Sequence, residues 1–121
     1  MAKILAVDDS KAMRDLMTHI LTNENHEVTT ACDGVDAMMV ARGNSFDVAL
    51  LDVNMPNMNG LSLVSKLRRL EGFEYIPIIM VTTETSEYRK SKAKNVGATG
   101  WLTKPFTAER LISAVNKVTG P

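Results

Sequence analysis

The sequence predicts an α/β fold, one parallel sheet with helices on both faces, and three observations carry that prediction. Short runs rich in Val, Ile and Leu alternate along the chain with stretches whose apolar residues recur at helical spacing. Two of the runs, residues 48–51 and 78–81, are apolar at every position, as strands covered on both faces must be. The strand-then-helix unit occurs five times, and such crossovers are what parallel neighbours require.

The elements follow in order. Lys3–Val7 reads as the first strand, and Met13, Leu16, Met17, Ile20 and Leu21 form one apolar stripe of a helix that Ser10 is placed to cap. Glu27–Ala31 is a second, more exposed strand, and residues 36–42 make a short helix ended by Gly43 and Asn44. Val48–Leu51 is a central strand, followed by a helix marked by Leu61, Val64, Leu67 and Leu70. After the strand at 78–81, residues 86–95 form a weaker helix carrying Arg89, Lys90, Lys92 and Lys94. Gly100–Thr103 is the fifth strand, closed by Pro105, and Leu111, Ala114, Val115 and Val118 supply the apolar face of the last helix. Right-handed crossovers and five strands favour the flavodoxin-like doubly wound order 2-1-3-4-5, whose crevice lies at the carboxyl ends of strands 1 and 3.

Length and composition set bounds on function. With 121 residues, 45% apolar, the chain fits one domain, residues 1–121, and fills a core without staples. The charges cancel at 14 of each sign, yet residues 1–60 hold four bases and nine acids while residues 61–121 hold ten bases and five acids. That balance, with no aromatic-interleaved basic stretch, argues against a nucleic-acid partner. No apolar stretch approaches the ~20 residues that span a bilayer, and no signal sequence opens the chain, so the expected setting is the cytoplasm with no membrane partner. Cys32 stands alone, which excludes an internal disulfide, and reads as a small semi-buried residue. The methionines, Met13, Met17, Met38 and Met39 among them, read as core filling.

Asp8 and Asp9 leave the first strand and Asp52 ends the third, and neighbouring strands lie only ~4.8 Å apart. Three crowded carboxylates imply either a neutralising cation, of the hard oxygen-seeking kind such as Mg²⁺, or chemistry that uses their repulsion. Thr82 and Thr83 end strand 4 and Lys104 ends strand 5, so a hydroxyl and an ammonium face the acids, the equipment for holding a phosphoryl group. No G-x-G-x-x-G, P-loop or serine-nucleophile motif is present, and His19 and His26 lack a second ligand at metal spacing.

Four motifs, Val7-Asp8-Asp9-Ser10, the stretch from Asp52 through Asn54-Met55-Pro56 to Gly60, Val81-Thr82-Thr83-Glu84 and Lys104-Pro105-Phe106, carry a resemblance over essentially the whole chain. The sequence resembles the CheY-like receiver domains of bacterial two-component response regulators, in particular the single-domain chemotaxis members. That resemblance implies that Asp52 accepts a phosphoryl group from a histidine kinase of the CheA-like kind. It implies that Asp8, Asp9, Asp52 and the backbone carbonyl of Asn54 organise Mg²⁺, and that Thr82 and Lys104 bind phosphoryl oxygens. It further implies a cis Lys104-Pro105 peptide, dephosphorylation tuned by Asn54 and Glu84, and a switch in which Thr82 moves together with an aromatic residue three positions before the lysine. Trp101 holds that place, where the family usually has Tyr or Phe. Asn59 stands where the family often has Asp before the glycine, and either residue suits the turn.

The output implied is a contact made by the face spanning residues 86–117, with a flagellar motor switch component as the type of partner and a monomer as the state. Its four basic residues read either as a solvated helix face or as a dock for an acidic peptide. The chain is expected to be a phosphoacceptor with self-phosphorylation and self-dephosphorylation chemistry, not an enzyme acting on outside substrates. The alternatives are a phosphate sink without motor output, a small phosphohydrolase using Asp52 as nucleophile, and a pseudo-receiver that is never phosphorylated.

Overall fold

In the computed structural model, which describes residues 1–120, five strands and five helices alternate: β1 (Lys3–Val7), α1 (Lys11–Thr22), β2 (Glu27–Ala31), α2 (Gly34–Ala41), β3 (Val48–Leu51), α3 (Gly60–Leu67), β4 (Ile78–Thr82), α4 (Glu87–Val96), β5 (Gly100–Thr103) and α5 (Ala108–Thr119). All neighbours pair in parallel, in the order β2-β1-β3-β4-β5 expected from the sequence. Pro121, the last residue of the expected domain, lies outside the described residues.

The two-residue period of the strands divides the core in two. Leu5, Val7, Ala49, Leu51, Ile78 and Met80 point to one face and pack with Ala37 and Ala41 of α2, Leu63, Val64 and Leu67 of α3 and Ala93 of α4. Ile4, Ala6, Val48, Leu50, Ile79 and Val81 point to the other and pack with Met17, Ile20 and Leu21 of α1 and Leu111 and Val115 of α5. Fully burying each Leu or Ile contributes about 1.5–3 kcal/mol, so both layers hold the sheet from opposite sides.

Every helix begins at a side-chain cap. Ser10, Asp33, Asn59, Ser86 and Thr107 accept hydrogen bonds from the amides of Met13, Asp36, Ser62, Arg89 and Arg110 respectively. These caps explain where the observed boundaries depart from the periodicity. α2 starts at Gly34, two residues before the expected 36, because Asp33 caps it, and it ends at Ala41. α4 starts after its cap Ser86 and runs to Val96, ended by Gly97 at φ +110°. α3 stops at Leu67, and Leu70 completes the apolar stripe from the turn beyond. β4 extends one residue to Thr82, which pairs with Thr103.

Two side-chain expectations are corrected. Cys32 is exposed, because it follows β2 where the chain turns outward to the Asp33 cap. Met17 is buried, but Met39 is 67% exposed on the outer side of α2 and fills no core. No helix among the described residues is long and apolar enough to cross a membrane.

Candidate functional site

Because all five strands run parallel, their carboxyl ends share one edge of the sheet, and the residues that follow them converge there. Asp8 follows β1 and is buried, Asp9 beside it is exposed, and Asp52 follows β3 and is buried. One carboxylate oxygen from each lies within 4.8 Å of the other two. Such an all-oxygen set fits a hard divalent cation, and its third member, Asp9, opens to solvent.

A cation from the protein already sits among them. The Lys104 ammonium donates to Asp8 Oδ2 at 2.5 Å and to Asp52 Oδ2 at 3.0 Å, with 11% of the lysine side chain exposed. Burial pushes the Lys104 pKa down, but the hydrogen bonds and charges of Asp8 and Asp52 outweigh it and hold the ammonium above its ordinary value. The remaining oxygens are anchored by backbone: Ser10 N–H donates to Asp8 Oδ1 at 2.9 Å and Asn54 N–H to Asp52 Oδ1 at 3.2 Å. Lys104 is itself fixed by its amide, which donates to the Thr82 carbonyl at 2.9 Å, and its peptide to Pro105 is cis.

Thr82 is fully buried at the end of β4, and its Oγ1 accepts the Glu84 amide at 3.2 Å. The half-buried Glu84 accepts the Ser86 amide at 3.1 Å, which ties the threonine loop to the start of α4. Thr83 points outward and is exposed, so only one of the two threonines joins the crevice wall. Asn54 is exposed at the crevice rim. Trp101 lies on β5 and packs against the α2–α4 layer, with the Lys90 ammonium 5.8 Å from its ring centroid. Its indole N–H is buried and has no hydrogen-bond partner among the described residues.

Three further residues shape the site: Arg14, which the sequence did not single out, and Gly60 and Asn57, which lie within the stretch from Asp52 to Gly60 but had no role assigned at the site. Arg14 of α1 donates to the Asp8 carbonyl at 2.8 Å, bracing the first acidic turn; its position four residues after the Ser10 cap was the available signal. Gly60 opens α3 directly under the loop that follows Asp52, where an added Cβ would sit 2.0 Å from the Asp52 carbonyl oxygen. Asn57, at φ +70°, donates to Asp33 and joins the loop after Asp52 to the cap of α2. The motif located the last two but not what they touch: Gly60 packs against the Asp52 carbonyl, and Asn57 reaches the cap of α2.

The histidines take packing roles: the half-buried His26 accepts the Ala2 amide through Nδ1 at 3.0 Å, and His19 is exposed. Desolvation, with Asp33 and Asp36 nearby, holds the Cys32 thiol above its ordinary pKa, so although exposed it is a poor thiolate.

This crevice sets the buried Asp52 carboxylate beside an ammonium and a buried hydroxyl, with two more carboxylates close by. Known proteins carry the same chain pattern. The response regulator receiver domain family matches residues 4–116. Protein PilH of Pseudomonas aeruginosa is 38% identical over 118 residues, covering 98% of this chain and 98% of its own. Among solved structures, the chemotaxis protein CheY4 of Vibrio cholerae matches with a TM-score of 0.95 at 47% identity, over 98% of each chain. The receiver domain of a Pseudomonas aeruginosa sensor histidine kinase, described with a magnesium ion coordinated in its active site cleft, matches with a TM-score of 0.90 at 25% identity over 99% of this chain and 98% of its own.

Proposed function

This chain belongs to the response regulator receiver domain family, and from that premise we propose that it is a phosphorelay switch in which Asp52 takes a phosphoryl group from a histidine kinase and the face formed by α4, β5 and α5 reports the change to a protein partner. The observation that carries this reading is the Lys104 ammonium bridging Asp8 and Asp52 at 2.5 and 3.0 Å beside the buried Thr82 hydroxyl. A structural lysine does not need two carboxylates; a lysine that follows a phosphoryl group does.

In the transfer, an Asp52 carboxylate oxygen attacks phosphorus, the bond to the kinase histidine nitrogen breaks, and the imidazole leaves with the electron pair. Water later attacks the acyl phosphate, releasing inorganic phosphate and restoring the carboxylate. Asp8, Asp9 and Asp52, with the Asn54 backbone carbonyl, would hold Mg²⁺, which supplies charge neutralisation of the phosphoryl oxygens. Lys104 shifts from the Asp52 carboxylate to a phosphoryl oxygen, and the Thr82 hydroxyl donates to another. Asn54 at the rim and Glu84 on the threonine loop flank the path of the attacking water and set how long the acyl phosphate lasts.

Two or three charge-assisted hydrogen bonds, each worth about 1.5–3 kcal/mol, reach the roughly 5.5 kcal/mol that turns a 1:99 equilibrium into 99:1. Movement of Thr82 draws on Glu84 and so on the start of α4. Trp101 stands beside that path as the aromatic member of the switch. The basic residues of α4, Arg89, Lys92 and Lys94, give the reporting face a preference for an acidic partner segment, in the manner of a motor switch component facing a CheA-like kinase pathway.

The test adds Mg²⁺ and acetyl phosphate and follows intact mass and Trp101 fluorescence. One phosphoryl group per chain is expected, with a fluorescence change, and none of either with Asp52→Asn. Many phosphate equivalents released from an external phosphomonoester would instead make the protein a phosphohydrolase, and no mass change with bound metal would make it a pseudo-receiver.

A further inference from the structure

A second surface lies away from the crevice and from the α4–β5–α5 face. Between α2 and α3 runs a groove of about 400 Å³ lined by Val35, Met38, Met39 and Met58 with Leu70 at one end. Its outer wall is apolar where a surface helix is ordinarily polar: Val35 is 50% exposed and Met39 67% exposed, and α2, with the sequence GVDAMMVA, has a single charged residue. The groove is rimmed by three cations, Arg42 after α2, Lys66 of α3 and Arg69 after it, all exposed. None has a carboxylate within 4.0 Å among the described residues, and no acid lines the groove. Neighbouring Arg68 shows the contrast: its guanidinium turns inward to the carbonyls of Phe73, Ile76 and Gly97, as a structural arginine does.

We propose that this groove is a docking site for an acidic amphipathic helix, whose apolar residues enter between Val35, Met39 and Met58 and whose carboxylates pair with Arg42, Lys66 and Arg69. Flexible methionines suit the apolar contact because unbranched thioethers adapt to irregular partners. The unanswered positive rim selects the sign of the partner, and a helix laid in a groove between two helices meets both features at once. A second copy of this chain offers no such segment, since none of its five described helices carries more than one acidic residue.

The probe is a synthetic amphipathic peptide of roughly 16 residues with Leu at positions i, i+3, i+4 and i+7 and Glu elsewhere, compared with its twin bearing Lys for Glu. Fluorescence anisotropy of the labelled peptides is measured with amide shift mapping of the protein. Expected is binding of the Glu peptide at least about tenfold tighter than the Lys peptide, with shifts on α2 and α3. Met39→Glu should weaken it about tenfold, and the Arg42→Glu, Lys66→Glu, Arg69→Glu triple variant should reverse the preference. Neither variant alters phosphorylation by acetyl phosphate. Absence of binding, equal affinity for both peptides, or shifts confined to α4 and α5 overturns the proposal. So does self-association of the free protein that Met39→Glu abolishes, which makes the groove a homodimer face.

Discussion

At the crevice, Lys104 reaches two carboxylates and both have backbone amides on their other oxygens; three residues earlier, on β5, Trp101 buries an indole N–H with no partner among the described residues. The helices flanking the two regions differ in the same sense. α3, under the acceptor loop, buries Gly60, Leu61, Leu63, Val64 and Leu67, whereas α4, over the β5 edge, buries Ala93 alone. The two buried carboxylates of the crevice are partnered and stand over a buried helix, whereas the helix over the β5 edge buries a single residue. Chemistry needs fixed geometry, while a reporting surface must change arrangement for a modest energy, so this division is the one the proposed switch requires.

Glycines at the two places give the widest separation. Gly60→Ala puts a Cβ 2.0 Å from the Asp52 carbonyl oxygen and within 3 Å of Val53 Cα, so the acceptor loop must move; a loss of about 3 kcal/mol is expected in denaturant unfolding. Gly100→Ala at the edge meets nothing nearer than Ile79 Cγ1 at 3.7 Å, an ordinary contact, and should change stability by less than about 0.5 kcal/mol. Equal losses at the two positions would erase the contrast.

Lysines provide the next pair. Lys104→Met leaves the buried Asp8 and Asp52 facing each other without a cation. Removing one member of a buried pair costs about 3–5 kcal/mol, and the solvent-facing side of this site reduces the expectation to about 2 kcal/mol in the absence of divalent metal. Adding Mg²⁺ should return part of it. Lys90→Met removes a half-buried lysine over the Trp101 ring at 5.8 Å and should cost no more than about 0.5–1 kcal/mol. A Lys104→Met protein as stable as the parent without metal would mean that the crevice is not tightly partnered.

The same ammonium predicts an alkaline limb. Because the folded state raises the Lys104 pKa above its ordinary 10.5, its contribution is complete below that value and is lost as pH rises through the folded pKa. Stability of the parent protein should therefore fall above about pH 10.5 more steeply than that of Lys104→Met, measured by urea titration across the range. Parallel declines would show that other groups set the limb.

Much of this was legible in the sequence, for reasons that also explain what was not. β1 and β3 follow directly from their apolar runs and β2 and β5 from short β-branched or aromatic stretches, and the parallel order places Asp8, Asp52, Thr82 and Lys104 at one edge without any coordinate. α2 blurred at its start because its apolar residues surround the helix instead of forming a stripe, which is the same property that leaves Val35 and Met39 exposed. β4 looked one residue short because Thr82 is polar yet fully buried. The bridge from one lysine to two carboxylates joins residues remote in sequence, and no local pattern encodes such distances; the brace from Arg14 and the contact that excludes a side chain at Gly60 are closer in sequence but depend on how their turns fold.

The smallest effect sharpens the comparison most. A buried donor without a partner costs about 1–3 kcal/mol, so Trp101 stays in place only because its ring contacts exceed that cost. Trp101→Phe removes the orphan N–H together with part of the ring, and the two changes oppose each other. Stability is expected to stay within about 1 kcal/mol of the parent, far from the roughly 3–5 kcal/mol that deleting a well-satisfied buried Trp side chain costs. The readout is the denaturation midpoint at unchanged slope. A loss above about 2 kcal/mol would mean that the indole N–H is satisfied in solution, and that the β5 edge is as firmly partnered as the crevice.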